Sequence, residues 1–264
     1  MDLQRRLDDL KARHIAAAAP PPVPRARPLE RPRTLADVLC GAEHSAGEMR
    51  CWRIATGLAA PPALNTRVYG GTGGLAWSPT GQTPTLVPES TLLLDIETGG
   101  FAGAPVFLIG LVRLGERPLQ VVQFLARDYP EEAAILHALA RAADGCDTWV
   151  TFNGKSFDEP FLRDRAAVHR LTMPAPRLHF DLLHAARRAW RDRVPDCRLA
   201  TLERHVLGRT RRGDVPSRDV PDLFHLFFRT GNPAPLQPVL EHNRLDLVAA
   251  TELLIRLMRL GIGD

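Results

Sequence analysis

The segment Leu92-Leu93-Leu94-Asp95-Ile96-Glu97 constrains the fold more than any other part of the sequence. Its three leucines predict a buried strand that ends in two acids. Because successive strand residues point to opposite faces of a sheet, Asp95 and Glu97 share one face. Two such carboxylates repel each other and lose hydration, which favours a site where a cation neutralises them. Asp95 alone would be better interpreted as a strand-end acid that caps the next turn.

Strands and helices alternate after residue 91, which predicts an α/β domain with a mixed, five-stranded sheet flanked by helices. The predicted strands cover residues 91–97, 106–114, 119–125, 148–152 and 177–180. The predicted helices cover residues 130–143, 157–171, 182–193, 199–207, 223–229 and 236–260, and the polar stretch 210–222 is predicted to be a loop.

The first 90 residues have a different composition from the rest of the chain. Leucines at helical spacing predict a helix over 2–15, and the prolines that follow predict an extended linker. Residues 34–39 read as one capped helical turn, and residues 40–90 contain two candidate strands, at Met49–Ile54 and Thr66–Tyr69. The predicted organisation is therefore a flexible helix and Pro-rich linker (1–33), a small β-containing extension (34–90) and the α/β domain (91–264).

Composition narrows the class of protein further. No apolar run reaches the length of a membrane span, and the charged first residues lack the apolar stretch of a secretory signal. The four cysteines are far apart and form no CxxC pair, so we expect reduced thiols in a cytoplasmic protein. The net charge is +4, and nearly all of the basic residues are arginines. Such a charge is compatible with a polyanionic partner, although a genome-wide base bias explains the excess of arginine equally well.

A second polar segment, Asn153-Gly154-Lys155-Ser156-Phe157-Asp158, follows a predicted strand and opens a helix. Asn153 is suited to hold the turn or the first carboxylate strand, and Gly154 permits a tight backbone. Asp158 lies in the first helical turn, where its charge also interacts favourably with the helix dipole. Alone, Asp158 fits that dipole role as well as a role in a site.

The third polar segment opens the last long helix. His242 and Asp246 are four residues apart and share one helix face. The apolar run that follows Asp246 places this acid beside the core rather than on a solvated face. In isolation, such a histidine–aspartate pair is more often a surface pair.

Together the three segments resemble the DEDD (DnaQ-like) 3′–5′ exonuclease superfamily, which has the ribonuclease-H-like fold. The D-x-E motif of that superfamily matches Asp95-Ile96-Glu97, its N-then-F-D motif matches Asn153 and Phe157-Asp158, and its last aspartate matches Asp246. The amino-acid sequence is most similar to that of the YprB-type ribonuclease-H-like proteins in segments 151–158, 180–188 and 242–246. The resemblance covers roughly residues 91–260 and the first 90 residues only weakly.

The resemblance implies two-metal phosphodiester hydrolysis with Mg²⁺ or Mn²⁺. Asp95, Glu97 and Asp246 would hold one ion, Asp95 would bridge to the second, and Asp158 would hold that second ion directly or through water. The superfamily places a tyrosine four residues before its last aspartate, or a histidine five before it. Here a histidine has the tyrosine's spacing, and His242 is the candidate general base.

The same resemblance suggests that the backbone amides of Thr98 and Gly99 contact a terminal nucleotide. Asn153 and Lys155 are further candidate substrate contacts, Lys155 as a contact to a phosphate. A simple turn after the strand explains Thr98 and Gly99 equally well. Arg187, Arg188 and Arg191 could also contact phosphates, but a solvated arginine face is the better interpretation. Asp181 is predicted to be a helix N-cap rather than a ligand.

The leading functional prediction is a metal-dependent nuclease, a 3′–5′ exonuclease that acts on single-stranded DNA or RNA ends, with no membrane partner and with protein partners unknown. One alternative is a nucleic-acid-binding module on the same fold with little or no hydrolysis. Another is a structure-selective endonuclease. An intact set of four acids favours an enzyme over a pure binding module.

Overall fold

The computed structural model describes residues 34–58, 86–100 and 103–260. The predicted helix over 2–15, the Pro-rich linker and the candidate strand Thr66–Tyr69 lie outside these ranges, so the predicted boundaries of the N-terminal regions stay predictions. The helices are α1 (Leu35–Val38), α2 (Glu132–Ala142), α3 (Asp158–Val168), α4 (Leu182–Trp190), α5 (Leu199–His205), α6 (Val220–Thr230) and α7 (Leu236–Arg259). The strands are β1 (Ala42–Ala46), β2 (Met49–Gly57), β3 (Thr91–Thr98), β4 (Val106–Arg113), β5 (Gln120–Leu125), β6 (Thr148–Thr151) and β7 (Leu178–Asp181). Two 3₁₀ turns, Pro88–Ser90 and Ser217–Asp219, precede β3 and α6.

All seven strands form one mixed sheet in the order β1-β2-β5-β4-β3-β6-β7. The hairpin strands β3, β4 and β5 are antiparallel, whereas β6 and β7 run parallel to β3. The α/β class and the five strands predicted after residue 91 are confirmed. The predicted count of five for the sheet is wrong, because β2 pairs along the free edge of β5 and β1 pairs with β2.

Strand β1 could not be expected from its own residues. Its sequence, Ala-Glu-His-Ser-Ala, has no apolar alternation, and four of its five side chains are at least partly exposed. Pairing with β2 across the turn at Gly47, which has a φ of 68°, supplies its backbone partners. Cross-strand hydrogen bonds therefore determine this strand where local propensity does not.

Two helical layers cover the sheet, and β3 contributes alternate residues to each. Leu92, Leu94 and Ile96 pack with α2 and α3 on one face. Leu93 packs with α4, α5 and α7 on the other. Since side chains alternate along a strand, Asp95 and Glu97 continue the row of Leu93 and face the layer that contains α7.

A third apolar cluster joins α1, α6 and the start of α7 to strands β2, β4 and β5. Thr34 caps α1 with a reciprocal hydrogen-bonded capping box, which confirms the predicted capped turn. The cysteines Cys40, Cys51, Cys146 and Cys197 are free thiols. In the described part of the chain, no helix is both long enough and apolar enough to cross a membrane.

Candidate active site

A pocket of about 1330 Å³ opens at the C-terminal end of β3. Among the acids that line it, four come from three separated elements: two from β3, one from α3 and one from α7. These are Asp95, Glu97, Asp158 and Asp246, hereafter the acid cluster. The fold thus brings together the four carboxylates that the sequence motifs predicted.

The acids on β3 interact strongly with the rest of the cluster. Burial raises the pKa of Asp95 well above its ordinary value, and the charges of Asp246, Glu97 and Asp158 raise it further. Burial likewise raises the pKa of Glu97, followed by the charges of Asp246 and Asp158. These shifts show that the negative charges of the cluster are poorly compensated by the protein.

Asp158 reaches the cluster from the first turn of α3. Its Oδ1 accepts a hydrogen bond of 3.1 Å from the backbone N–H of Ile96, in the middle of the D-x-E segment. Burial raises the pKa of Asp158 from 3.8 to about 7, against the lowering effect of backbone hydrogen bonds. The hydrogen bond ties the second acidic segment directly to the first.

The loop before α3 is held by Asp181. The carboxylate of Asp181 accepts hydrogen bonds from the backbone N–H groups of Asn153 (2.8 Å) and Lys155 (3.1 Å). It also accepts one from Leu183 N–H (3.0 Å), which confirms the predicted N-cap of α4. Asn153 adopts a left-handed conformation with a φ of 66°, a conformation that asparagine tolerates better than most residues.

Asn243 on α7 connects the acid cluster to the core. Its amide donates a hydrogen bond of 2.7 Å to Oδ2 of Asp95 and accepts one of 2.8 Å from Gln123. The space for this amide comes from Gly110, which lies opposite Asp95 on β4. A Cβ at Gly110 would stand 2.1 Å from Oδ1 of Asn243. The glycine thus allows α7 to approach the sheet beside β3.

His242 is buried beside the cluster, and its two ring nitrogens have different partners. Nδ1 lies 2.9 Å from Asp214 Oδ1. Nε2 lies 3.3 Å from Ser217 Oγ and 3.6 Å from Asp246 Oδ2. If Nδ1 carries the proton and donates to Asp214, Nε2 is left free to accept a proton on the side of the pocket.

Arg211 is the cation closest to the acid cluster in the described part of the chain, and its side chain is only 9% exposed. It lies 2.6 Å from Glu203, 2.9 Å from Asp214 and 2.6 Å from Asp246, the last contact being an ion pair rather than an aligned hydrogen bond. Burial lowers its pKa, but Asp246 and Glu203 outweigh burial, so the pKa is raised overall. Arg211 therefore stays charged and orients both Asp246 and Asp214.

Asp214 and Arg211 were not predicted as site residues, because both lie in the polar stretch interpreted as a loop. Burial raises the pKa of Asp214, but its interactions with His242 and Arg211 lower it by more, so this carboxylate is held ionised. The only local signal was their spacing, since an arginine and an aspartate three residues apart can form an ion pair. That signal does not indicate which distant residues the pair contacts.

The predicted substrate contacts divide into two groups. Thr98, Gly99 and Asn153 line the pocket, whereas Lys155 is exposed and is not among the lining residues. The backbone N–H of Gly99 donates to Pro105 O at 2.9 Å, so this amide is used within the fold rather than offered to a nucleotide. Of the arginines considered, Arg187 and Arg191 line the pocket and Arg188 does not.

The donor set of the cluster suits a hard divalent cation. All four donors are carboxylates, as Mg²⁺ and Mn²⁺ prefer. Among residues 34–58, 86–100 and 103–260, no three His, Cys, Asp or Glu side chains are already arranged to hold a metal ion. Three of these acids each use one oxygen in a contact within the protein: Asp95 with Asn243, Asp158 with the N–H of Ile96, and Asp246 with Arg211. Side-chain rotation would complete the set of metal ligands.

Comparison with known proteins shows the family of this chain. Residues 92–258, more than half of the chain, match the family model of the RNase_H superfamily. The chain belongs to the RNase_H superfamily. The predicted ribonuclease-H-like fold is thereby confirmed.

Two further comparisons concern individual proteins that are similar to this RNase_H superfamily chain. It is 33% identical over 193 residues to the uncharacterized protein YprB of Bacillus subtilis (strain 168), covering 69% of this chain and 46% of that protein. The chain therefore spans about half the length of this relative. It also resembles the structure of the family B DNA polymerase from the hyperthermophilic archaeon Pyrobaculum calidifontis, with a TM-score of 0.51 and 18% identity over 64% of this chain and 24% of that one. At that identity the likeness shows the fold alone.

Proposed function

We propose that this chain is a metal-dependent nuclease that removes nucleotides from the 3′ ends of single-stranded DNA or RNA. The observation that carries the proposal is the convergence of the acid cluster in one pocket, with raised pKa values for Asp95, Glu97 and Asp158. A pure binding module would gain nothing from charges that repel each other and a polyanion alike.

Asp95, Glu97, Asp158 and Asp246 would hold the divalent cations. When bound, these ions would activate the attacking water and stabilise charge on the phosphate. The protein's own contribution is to fix the donors: Asn243 holds one oxygen of Asp95, and Arg211 holds one oxygen of Asp246. These contacts limit the rotation of the two carboxylates, so less side-chain movement is needed when the ions bind.

His242 is the general base in this proposal. Asp214 accepts the hydrogen bond of its Nδ1–H, which leaves Nε2 to take the proton of the attacking water. Arg211 in turn holds Asp214 at 2.9 Å, so one arginine supports both the last aspartate and the histidine. This network supplies an orientation for His242 despite its position four rather than five residues before Asp246.

The direct test is a hydrolysis assay on the purified chain with end-labelled single-stranded DNA and RNA oligonucleotides. We expect no cleavage in EDTA and a rising rate as Mn²⁺ or Mg²⁺ is added, with 5′-labelled strands shortening one nucleotide at a time. Cleavage of a circular single strand would instead indicate an endonuclease. Tight binding without metal-dependent cleavage would support a binding module and contradict the proposal.

A further inference from the structure

We propose that Arg187, Arg191 and Arg198, hereafter the arginine wall, bind successive phosphates of a single nucleic-acid strand and lead it to the acid cluster. All three side chains are exposed, and all three line the pocket that contains the acid cluster. The inference rests on the proposed function in one respect, namely that the reacting phosphate lies at the acid cluster.

The arginine wall is built by the end of α4 and the start of α5. Leu183, Arg187 and Arg191 recur at intervals of four, so they form one helix face that looks into the pocket. Positions four apart lie ~6 Å apart along a helix, which is comparable to the separation of neighbouring phosphates in a strand. Arg198, the N-cap residue of α5, continues the same side of the pocket.

The arginines of the wall have few competing partners within the described residues. No ion pair is formed there by Arg187 or Arg198, and Arg191 pairs only with its neighbour Asp192, at 3.5 Å and with both side chains largely exposed. Such an exposed pair contributes little stability and separates easily. Asp196 also lines this side of the pocket, and its Oδ1 accepts a hydrogen bond of 2.9 Å from the backbone N–H of Arg198, which leaves the guanidinium of Arg198 outside that bond. The wall therefore offers positive charge to an incoming anion.

A purely structural role for these arginines does not explain why their side chains line the pocket. Basic residues in the last turn of a helix stabilise its C-terminal carbonyl groups, and α4 carries two of them, Arg187 and Arg188. Arg188 serves that role equally well without lining the pocket. The helix dipole therefore accounts for positive charge at this helix end but not for the arginines that face the pocket.

The size and charge pattern of the pocket favour a polymer over a small anion. Its volume of about 1330 Å³ exceeds the range of ~300–1000 Å³ typical of small-molecule pockets. The arginine wall and the acid cluster come from different elements and line the same pocket, so a ligand that contacts both must carry more than one anionic group. A strand with several phosphates meets this requirement, with some at the arginines and one at the acid cluster.

The test compares two double variants that remove equal charge from the same stretch of chain: Arg187→Ala with Arg191→Ala, and Arg188→Ala with Arg193→Ala. Arg188 and Arg193 are exposed but do not line the pocket. Both pairs are placed in an Asp95→Asn background to suppress hydrolysis. Binding of a fluorescent single-stranded 12-mer is measured by anisotropy between 50 and 300 mM salt, and circular dichroism verifies folding.

We expect the first pair to raise the Kd roughly tenfold at 50 mM salt and to reduce the slope of log Kd against log salt by about 1.4, since each lost phosphate contact contributes about 0.7 for a single strand. The second pair should leave the slope unchanged. Equal effects of the two pairs would overturn the inference, because only net charge would then matter. Displacement of the strand by polyglutamate at equal charge concentration would also overturn it, because the wall would then bind acidic chains in general.

The outcome is separable from that of the proposed function. If the wild-type chain cleaves strands but the two pairs bind alike, the nuclease proposal stands and the arginine wall does not. If the first pair alone loses binding while the wild-type chain never cleaves, the wall stands and the nuclease proposal fails.

Discussion

Two groups of buried acids in this protein are built in opposite ways. Glu132 on α2 is 1% exposed, and it is bonded to Arg165 at 2.5 and 2.7 Å, to His169 at 2.7 Å and to the N–H of Val106 at 2.8 Å. Burial raises its pKa, but these bonds lower it by more, so the net shift is downward. In the acid cluster, by contrast, four carboxylates share the cation Arg211, and the pKa values of Asp95, Glu97 and Asp158 are raised.

The difference distinguishes an acid that stabilises the fold from acids that, under the proposed function, bind metal ions. A buried charge lowers the energy of the folded state only when its partners replace lost hydration, as they do for Glu132. In the acid cluster, Asn243, the N–H of Ile96 and Arg211 compensate the charges only in part, since the pKa values of Asp95, Glu97 and Asp158 stay raised. Under the proposed function, the cluster therefore destabilises the fold until cations bind. Substitution should consequently have opposite effects in the two regions.

The largest effect is expected from Asp95→Asn. Removing this charge should reduce metal-dependent turnover by about a thousandfold, equivalent to ~4 kcal/mol of transition-state stabilisation, without lowering the melting temperature of the metal-free protein. Steady-state cleavage rates and thermal melts in EDTA measure the two quantities. Asp222→Asn is the matched control, since Asp222 lines the same pocket outside the acid cluster and should retain activity. Full activity of Asp95→Asn would contradict the proposed role.

The pH dependence of stability sharpens the comparison. With the pKa of Asp158 raised to about 7 from 3.8, the metal-free folded state binds more protons than the unfolded state between those values. Its free energy of unfolding should therefore fall as the pH rises from about 4 to 7, and Asp158→Asn should remove this component. Urea titrations in EDTA across that range give the difference between wild type and variant. A difference that does not change with pH would refute the expectation.

The ion pairs of Glu132 predict the reverse behaviour. Glu132→Ala should lower the free energy of unfolding by ~3 kcal/mol, because it leaves the partly buried Arg165 without its partner. Since the pKa of Glu132 is lowered from 4.5, its stabilisation is present above that pH and is lost as the pH falls through the folded-state value. Cleavage per folded molecule should not change.

Glu159→Ala on α3 is the control for Glu132, because its pair with Arg163 at 3.2 Å is exposed and should contribute less than ~0.5 kcal/mol. A similar loss of stability for Glu132→Ala and Glu159→Ala in urea titrations would show that burial does not govern the effect.

The sequence predicted the acids of the cluster better than the residues that hold those acids and His242 in place. Asp95 and Glu97 follow from a local pattern, an apolar strand that ends in alternating acids, and Asp158 and Asp246 were added by motif spacing. Arg211 and Asp214 act on residues that are 28 to 35 positions away, so no local periodicity reports them. Their roles depend on the path of the chain between α5 and α6, which only the tertiary structure determines.

Gly110 presents the same limit in the core. It reads as one more residue of an apolar strand, yet the approach of α7 to Asp95 requires it. The structural reason is a contact across the sheet that depends on which helix covers β4, and hydrophobic pattern alone does not specify that choice.

The smallest effect is expected from Gly110→Ala, which tests whether the close approach of α7 to the sheet positions Asp95. A Cβ at Gly110 would lie 2.1 Å from Oδ1 of Asn243 and 2.7 Å from Leu247, so Gly110→Ala should displace α7 and lower the free energy of unfolding by ~1–3 kcal/mol. Gly57→Ala is the control, because its Cβ would meet nothing within 4 Å. Displacement of Asn243 should also free Asp95 from its hydrogen bond. At a temperature where both variants are fully folded, the turnover of Gly110→Ala should therefore still be lower than that of Gly57→Ala. Urea titration and cleavage rates, measured side by side, separate the two effects. If Gly110→Ala matched Gly57→Ala in both, the close approach of α7 would not be what orients Asp95.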